Sequence, residues 1–444
     1  MPINSQLLKY QDSLKALCQK DNLSFELYAY RKFHERSLFK KKDLQSSSSD
    51  IQHINLRVSK ENQTGFSYTK SFSLESLKDC YKKAKDSLQF TDSFKAGTLS
   101  EKQKYQPEDL FYEDKKSSLK EQLEYTKQIH QASSTFNKKV QTITTAITKE
   151  EDSYFFINSK DSQATFKNSN IFIQNQCLGI DQTNRSESYN AKHFKNFSNL
   201  NPEEIGKYTA KLALQKLNYK IPETKKYPVI FKAETAGASL LSALTNFMSG
   251  KKVFENLSIL KNSLYKKIFS NSLSIYDEPL AKWGSESQTF DGEGFACEKT
   301  PLVEKGVLKN FLTSSFYAKA LKVPHTKKAC WIEDIGLETS SSNLVMSKGE
   351  SSFENMLTEF PKVIVIDHLK GWAGFNPISG DFSIESEGFL YEGTNLIQAL
   401  AQFTVSGNIL DIFKNILKIE NTTHSSSSTK TSSFLVPDLM IVGK

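Results

Sequence analysis

The stretch Gly371-Trp372-Ala373-Gly374-Phe375-Asn376-Pro377-Ile378-Ser379-Gly380-Asp381-Phe382-Ser383 is followed by Glu387-Gly388-Phe389 and then by Ser406-Gly407-Asn408-Ile409-Leu410. Glycines, a proline and an Asx residue crowded into so few positions describe a tight, rigid bend, in which Asn376 and Asp381 can tie down backbone amides. Asn376, Pro377, Gly380, Asp381 and Ser383 are the candidate loop residues, and a role in holding the loop together is favoured over ligand contact.

Around this bend the chain reads as strand and hairpin. Val303 to Leu308 and Phe389 to Leu396 each carry a glycine-containing turn between apolar runs. Val363 to Ile366 is an apolar strand ending on Asp367-His368; a catalytic pair there is disfavoured, because neighbours on a strand point to opposite faces. Gly407 to about Ile419 has a broad apolar face and predicts a helix. Phe434 to Val442 predicts a strand at a sheet edge because of Pro437. Upstream, residues 236 to 270 read as helical, and Pro228 to Phe231 as the first strand of a new unit.

The N-terminal part alternates differently. Helical spacing is read over residues 5–21, 74–88 and 117–133, with Ser73 as an N-cap, and strands over 23–33, 51–58 and 65–69. Ser46 to Ser49 reads as a loop. Three further strand runs lie between about 138 and 178, with turns expected at 158–161 and 167–170. Asn201-Pro202-Glu203-Glu204 is a strong helix start, with a capping Asn, Pro at the first helical position and carboxylates at the positive end of the dipole. The pattern is α+β: an N-terminal helix-plus-antiparallel-sheet domain over 1–220, a linker at 221–227 containing Pro222, and a strand-rich C-terminal domain over 228–444.

A chain of 444 residues with 11% aromatics, including 31 Phe and 17 Tyr, has ample core material. Its 58 basic against 50 acidic residues leave a net charge of +8. Without a basic stripe, that is weak support for nucleic-acid binding; the densest run, Lys40-Lys41-Lys42, reads as a solvated loop. No signal-peptide pattern or long apolar span is read, so a soluble cytoplasmic location with no membrane contact is expected. Cys18, Cys80, Cys177, Cys297 and Cys330 are widely spaced, which argues against a disulfide framework or a metal knuckle.

The chain has no G-x-S-x-G elbow, phosphate loop or dinucleotide fingerprint. The one His-Glu pair, His34-Glu35, has no second His nearby and sits in what reads as a polar loop. Asp291-Gly292-Glu293-Gly294 lacks the ligands of a calcium loop and reads as a glycine-rich turn. The serine-rich runs 339–342 and 425–428 read as loops.

The segment that opened this section closely resembles the TldD/PmbA family, whose members carry a G-x-N-P-x-[ST]-G-D-[FY]-S stretch, a following G-[FY] and an [AS]-G-N-L helix start. Phe290-Asp291-Gly292-Glu293-Gly294 and Leu200-Asn201-Pro202-Glu203-Glu204-Ile205-Gly206 resemble its D-x-E-G and D-P-E-E-x-G segments. The resemblance spans nearly the whole chain, more strongly after about residue 200. The glycine-rich R-G-x-G-x-R entry common in the family is replaced here by Ser49 to Val58.

In the TldD branch, the resemblance implies an H-E-x-x-x-H helix near the start of the C-terminal domain that binds the metal, together with a Cys near the C-terminus. Here Leu241, Ser242 and Asn246 stand at those positions, and the last cysteine is Cys330. Leu offers no lone pair, Ser is no general base at neutral pH, and a lone Asn amide is a poor zinc ligand. The resemblance is thus to the PmbA/TldE branch. It implies no catalytic residue, metal or cofactor in this chain. It also implies a heterodimer with an H-E-x-x-x-H-bearing homologue, together forming a metallopeptidase for unfolded or extended peptides; it leaves open whether the 376–383 loop is structural or touches peptide. The alternatives are a stand-alone peptide-binding or scaffold homodimer and, less favoured, a modulator of DNA gyrase.

Overall fold

The computed structural model describes residues 3–444 except Lys42, Asn62, Asp334 and residues 91–96 and 113–117; for residues 3–6 it describes the backbone alone. The third lysine of the run at 40–42 and part of the stretch between the second and third helices thus lie outside the described residues. The N-terminal half comprises α1 (Ile3–Lys20), β1 (Ser24–Lys40), β2 (Asp43–Lys60), β3 (Gln63–Thr69), α2 (Leu74–Ser87), α3 (Leu119–Ser134), β4 (Val140–Asn158), β5 (Gln163–Asp181), β6 (Asn184–Phe194) and α4 (Pro202–Gln215). The caps explain where its helices begin. Ser73 accepts from Ser76 N, Asn201 accepts from Glu204 N ahead of Pro202, and Ser118 with Glu121 forms a reciprocal capping box.

The strands form one antiparallel sheet in the order β3-β2-β1-β4-β5-β6. Its strands are longer than the sequence patterning indicates. Ser46–Ser49 is not a loop but part of β2, because its backbone pairs with Ser37 to His34 of β1. Residues 167–170 are not a turn but the middle of β5, opposite Asp152 to Ser153 and Glu150 to Glu151 of β4. His34 lies on β1, not in a loop. Strand periodicity divides the sheet into two faces. Leu27, Ala29, Phe155 and Ile157 pack under α1 and α2, while Ile147, Ile171 and Ile173 meet Ile129 of α3 and Ile205 of α4. The opposite face carries Tyr28, Tyr30, Phe156 and Phe166, which pack against Phe290 of the C-terminal half.

The C-terminal half comprises β7 (Lys225–Phe231), a π-turn over Ala233–Gly237, α5 (Ala238–Asn246), α6 (Gly250–Phe254), β8 (Ile275–Asp277), β9 (Thr300–Glu304), β10 (Val307–Leu308), α7 (Ser315–Leu321), β11 (Ala329–Ile332), β12 (Gly336–Thr339), β13 (Leu344–Met346), α8 (Phe353–Leu357), β14 (Lys362–Lys370), β15 (Asp381–Glu392), β16 (Asn395–Asn408), α9 (Ile409–Lys414), β17 (Lys418–Ile419), β18 (His424–Ser426), β19 (Thr429–Thr431) and β20 (Phe434–Val442). β7 begins within the segment read as the linker. The stretch 236–270 holds only α5 and α6 as α-helix, followed by turns, and the helix expected from Gly407 shortens to α9 because β16 runs on to Asn408.

One sheet has the order β16-β15-β14-β7-β20-β17, and an additional β16–β20 pairing closes its main strands into a ring. β20 is therefore not at an edge. Pro437 is accommodated at an irregularity between Val436 and Leu439, where the ladder to β7 is interrupted. A second sheet, β10-β9-β8-β13-β19-β18, shares the main core with this ring. That core also takes in Leu240, Leu241 and Leu244 of α5 and Ile409, Ile412 and Phe413 of α9. No described helix is long and apolar enough to cross a membrane.

Ionic and hydrogen-bonded contacts join the halves. Arg57 of β2 is buried between Glu26 of β1 and Glu293, with its guanidinium 3.1 Å from Glu293 Oε1. Glu293 also accepts from the backbone N–H (2.7 Å) and hydroxyl (2.8 Å) of Ser315 at the start of α7. Asp291 holds its own turn by accepting from the amides of Glu293, Phe295 and Ala329. Gly294 has φ +75°, and a Cβ there would lie 2.1 Å from the Phe156 ring, so both backbone and space demand glycine. The glycine-rich turn read at this segment is a built joint between the halves.

Candidate functional site: a polar cleft between the two halves

α5 follows directly from β7 through the π-turn, in which Gly237 N–H donates to Lys232 O at 2.8 Å. The α-helical period then sends the three motif positions in different directions. Leu241 is fully buried in the core, whereas Ser242 and Asn246 are exposed. A metal of the family's kind does not fit this helix. One position is an aliphatic chain facing the core, and the others offer a hydroxyl and an amide where an ion would need imidazole or carboxylate.

Ser242 lines a cleft of about 340 Å³ between the halves. Tyr189 and Ala191 of β6 and Tyr208 of α4 form one wall; Lys232, Ser239, Asp367, His368, Ser428 and Thr429 form the other. The run 425–428 is thus partly strand and partly cleft wall, not a free loop.

Asp367 organises the far wall. β14 carries a bulge at this point, since Ile366 pairs with Gly388 while His368 pairs with Glu387, leaving Asp367 as the extra residue. The expectation that Asp367 and His368 point apart fails here, because alternation is broken where they stand. His368 Nδ1 lies 2.8 Å from Asp367 Oδ2 and can only donate to a carboxylate, which makes Nε2 the acceptor whenever the ring is neutral. Lys232 Nζ donates to Asp367 Oδ1 at 2.8 Å and to the Tyr208 hydroxyl at 3.2 Å. Lys216 lies 3.4 Å from Asp367 Oδ2 and 3.1 Å from Glu387.

Burial alone would push the Asp367 carboxyl up. The His368 hydrogen bond and the charges of Lys232, His368 and Lys216 outweigh it and hold the group well below the usual carboxylate range. Burial would likewise lower Lys232, but Asp367 and Tyr208 raise its ammonium above the usual lysine range. The cleft therefore presents a fixed cation and hydroxyl groups that can donate to a carbonyl or carboxylate, beside an oriented imidazole whose Nε2 can accept from an N–H. Lys232 was not singled out from the sequence. The signal it shares with His368 is its position just after an apolar strand run, Val229 to Phe231.

The 376–383 loop lies outside this cleft's lining. Asn376 Oδ1 accepts from the amides of Ile378 (2.9 Å) and Ser379 (3.1 Å). Asp381 accepts from Ser379 Oγ at 2.7 Å and Asn408 Nδ2 at 2.9 Å, and Ser383 and Ser406 share a hydroxyl contact of 2.9 Å. Gly380 has φ +78°, with Ile409 and Ile259 close to where a Cβ would be. Pro377 is exposed. These bonds tie the loop to the junction of β16 and α9.

Comparison with known proteins follows the same division of the chain. Residues 224–443 match the family model described as the PmbA/TldA metallopeptidase C-terminal domain, and residues 25–88 match PmbA/TldA metallopeptidase domain 1. Metalloprotease PmbA of Escherichia coli O157:H7 is 30% identical over 243 residues, covering 55% of this chain and 52% of the relative. The Metalloprotease PmbA homolog of Buchnera aphidicola subsp. Acyrthosiphon pisum is 29% identical over 244 residues, with the same coverage of 55% and 52%. The match spans about half the length of these curated relatives. A putative modulator of a DNA gyrase from Thermotoga maritima superposes with a TM-score of 0.89 at 25% identity, over 98% of this chain and 99% of that one. TldE from Thermococcus kodakarensis shares the fold, with a TM-score of 0.85 at 19% identity over 98% of this chain and 100% of that one. With models of the family matching both halves and the fold shared from end to end, the chain belongs to the TldD/PmbA metallopeptidase family.

Proposed function

We propose that this chain is the non-catalytic, PmbA/TldE-like subunit of a two-chain cytoplasmic metallopeptidase that acts on unfolded or extended peptides. The observation that carries the reading is α5. Leu241, Ser242 and Asn246 occupy the positions where the catalytic branch would place its H-E-x-x-x-H ligands and base, and Leu241 is built into the core. The partner is a homologue bearing the intact motif, and this chain helps to shape the chamber in which the peptide lies. The cleft supports that role: Lys232 and the hydroxyls of its wall can donate to peptide carbonyls, His368 Nε2 can accept from a peptide N–H, and its other wall is the edge strand β6.

The test is reconstitution. The purified chain alone should leave unfolded casein intact, and addition of an H-E-x-x-x-H-bearing homologue from the same host should produce cleavage above that of the homologue alone. Affinity purification from the host should recover that homologue in stoichiometric amount. Chelator-sensitive cleavage by this chain in the proven absence of such a homologue would overturn the reading.

A further inference from the structure

We propose that His34, Glu150 and Asp152 form a binding site for a divalent cation of the zinc, manganese or iron(II) type on the inner face of the N-terminal sheet. The site is separate from α5. Its ligands come from two strands far apart in sequence, so no motif spacing could reveal it, and it revises the expectation of a metal-free chain.

β1 and β4 run antiparallel with His34 directly opposite Glu150 and Lys32 opposite Asp152. The two-residue strand period puts these side chains on the face shared by Tyr28 and Phe156, which is turned toward the C-terminal half. His34 Nε2 is 3.8 Å from Glu150 Oε1 and 3.8 Å from Asp152 Oδ1, and the three potential ligand atoms lie within 4.8 Å of one another.

The decisive feature is a pair of unanswered atoms. Asp152 is only 6% exposed, and its Oδ1 has no hydrogen-bond partner; His34 Nε2 is likewise buried and unpartnered. At 3.8 Å they are too far apart to bond each other. Ligands about 2.0–2.1 Å from a shared zinc stand roughly 3–4 Å apart, so the pair needs little movement to receive one. Tyr154 donates to Asp152 Oδ2 at 3.1 Å and Lys32 lies 3.9 Å from the same oxygen, which leaves Oδ1 turned toward the imidazole. Such a second partner is what orients a ligating carboxylate.

The charges facing the cluster are Lys32 from β1 and Glu286 from the C-terminal half, which adds negative potential at Glu150. Lys195 is engaged with Asn168 and Asn170 on β5. Two carboxylates and one neutral imidazole, with coordination positions left for water or a ligand, match the donor preferences of zinc, manganese and iron(II).

The full chain, stripped with EDTA and dialysed, would be titrated with ZnCl2 by calorimetry at pH 7.5 and with CoCl2 by visible absorption. One ion per chain is expected, with an affinity at least tenfold weaker in His34→Ala and in Asp152→Asn and a cobalt spectrum lost in both. His325→Ala alters the separate Asp291–Glu293–His325 group and should leave the affinity unchanged. Glu150→Gln, at a partly exposed position, serves if the other variants do not fold as judged by circular dichroism, and it should weaken binding by the same order. No binding up to about 1 mM, or equal affinity in wild type and the folded variants, would overturn the site and leave an imidazolium held between two carboxylates. The reconstitution assay does not depend on these residues, so the two readings can fail separately.

Discussion

Asp367 has 1% of its surface exposed and remains charged because Lys232, Lys216 and His368 surround it. Its folded-state affinity for protons lies below that of the unfolded chain, where an aspartate titrates near pH ~3.9. The native state is therefore favoured at neutral pH, and that stabilisation drains away as pH falls below about 4. Asp367→Asn leaves Lys232 without a counter-charge and His368 without its fixed acceptor. Urea unfolding at pH 7 should show a loss of about 3 kcal/mol, shrinking below about pH 4 as the unfolded wild-type chain takes up the proton that the folded Asp367 carboxylate does not. An unchanged midpoint at pH 7 would mean that the cluster contributes no net stability. The Asp-His pair is visible in the sequence, and strand alternation argues against it, a sound rule that fails at a bulge. Lys216 and Glu387, which complete the cluster, come from the C-cap of α4 and from β15 and share no local pattern with it.

That bulge is made possible by its neighbour strand. A Cβ on Gly388 would lie 2.1 Å from Val365 O, so β15 can approach β14 there only without a side chain. Gly388→Ala should cost about 2 kcal/mol through forced displacement of the strands. It should also shift the His368 imidazole resonances, because the hydrogen bond to Asp367 depends on the bulge. A variant that is destabilised but keeps unaltered His368 imidazole resonances would uncouple the bulge from the pair. Elements with local punctuation were legible in the sequence: the α2 and α4 caps, the β9–β10 and β15–β16 hairpins, and the Asn376–Ser383 bend. Elements decided by pairing were not. Ser46–Ser49 is strand only because β1 supplies a partner, and β20 tolerates Pro437 inside a closed ring because the ladder breaks there. α5 ends early because Met248 N–H and Ser249 N–H turn back to Thr245 and Asn246 carbonyls, closing tight turns that apolar periodicity does not report.

Across the whole molecule, the cleft exists only if the N-terminal sheet stays registered on the C-terminal half, and Glu293 is the polar centre of that joint. It is fully buried and receives Arg57 from one half and both the amide and hydroxyl of Ser315 from the other. Glu26 shares the same arginine. Burial raises its carboxyl, Arg57 opposes the rise and Glu293 adds to it, giving a value of about 7. An acid with a raised folded-state value binds its proton more tightly when folded, so Glu26 lowers stability as pH climbs from about 4.5 to 7. Glu293→Ala releases Arg57 to Glu26 alone and leaves the Ser315 amide without its acceptor. Two consequences should appear together in calorimetry. Overall stability should drop by about 3–5 kcal/mol within a single transition, since Gln103 and Tyr105 still donate to Gly294 O, Lys216 still reaches Glu387 and Phe290 keeps its aromatic packing across the joint. The decline of stability between pH 5 and 7 should also flatten, because the charge that pushed Glu26 upward is gone. An unchanged melting temperature would show that the other hydrogen bonds and ion pairs of the joint, with the packing of Phe290 on Tyr28, Phe156 and Phe166, hold the halves together without the Glu293 charge. A lower melting temperature with the pH slope intact would separate the joint from the titration of Glu26.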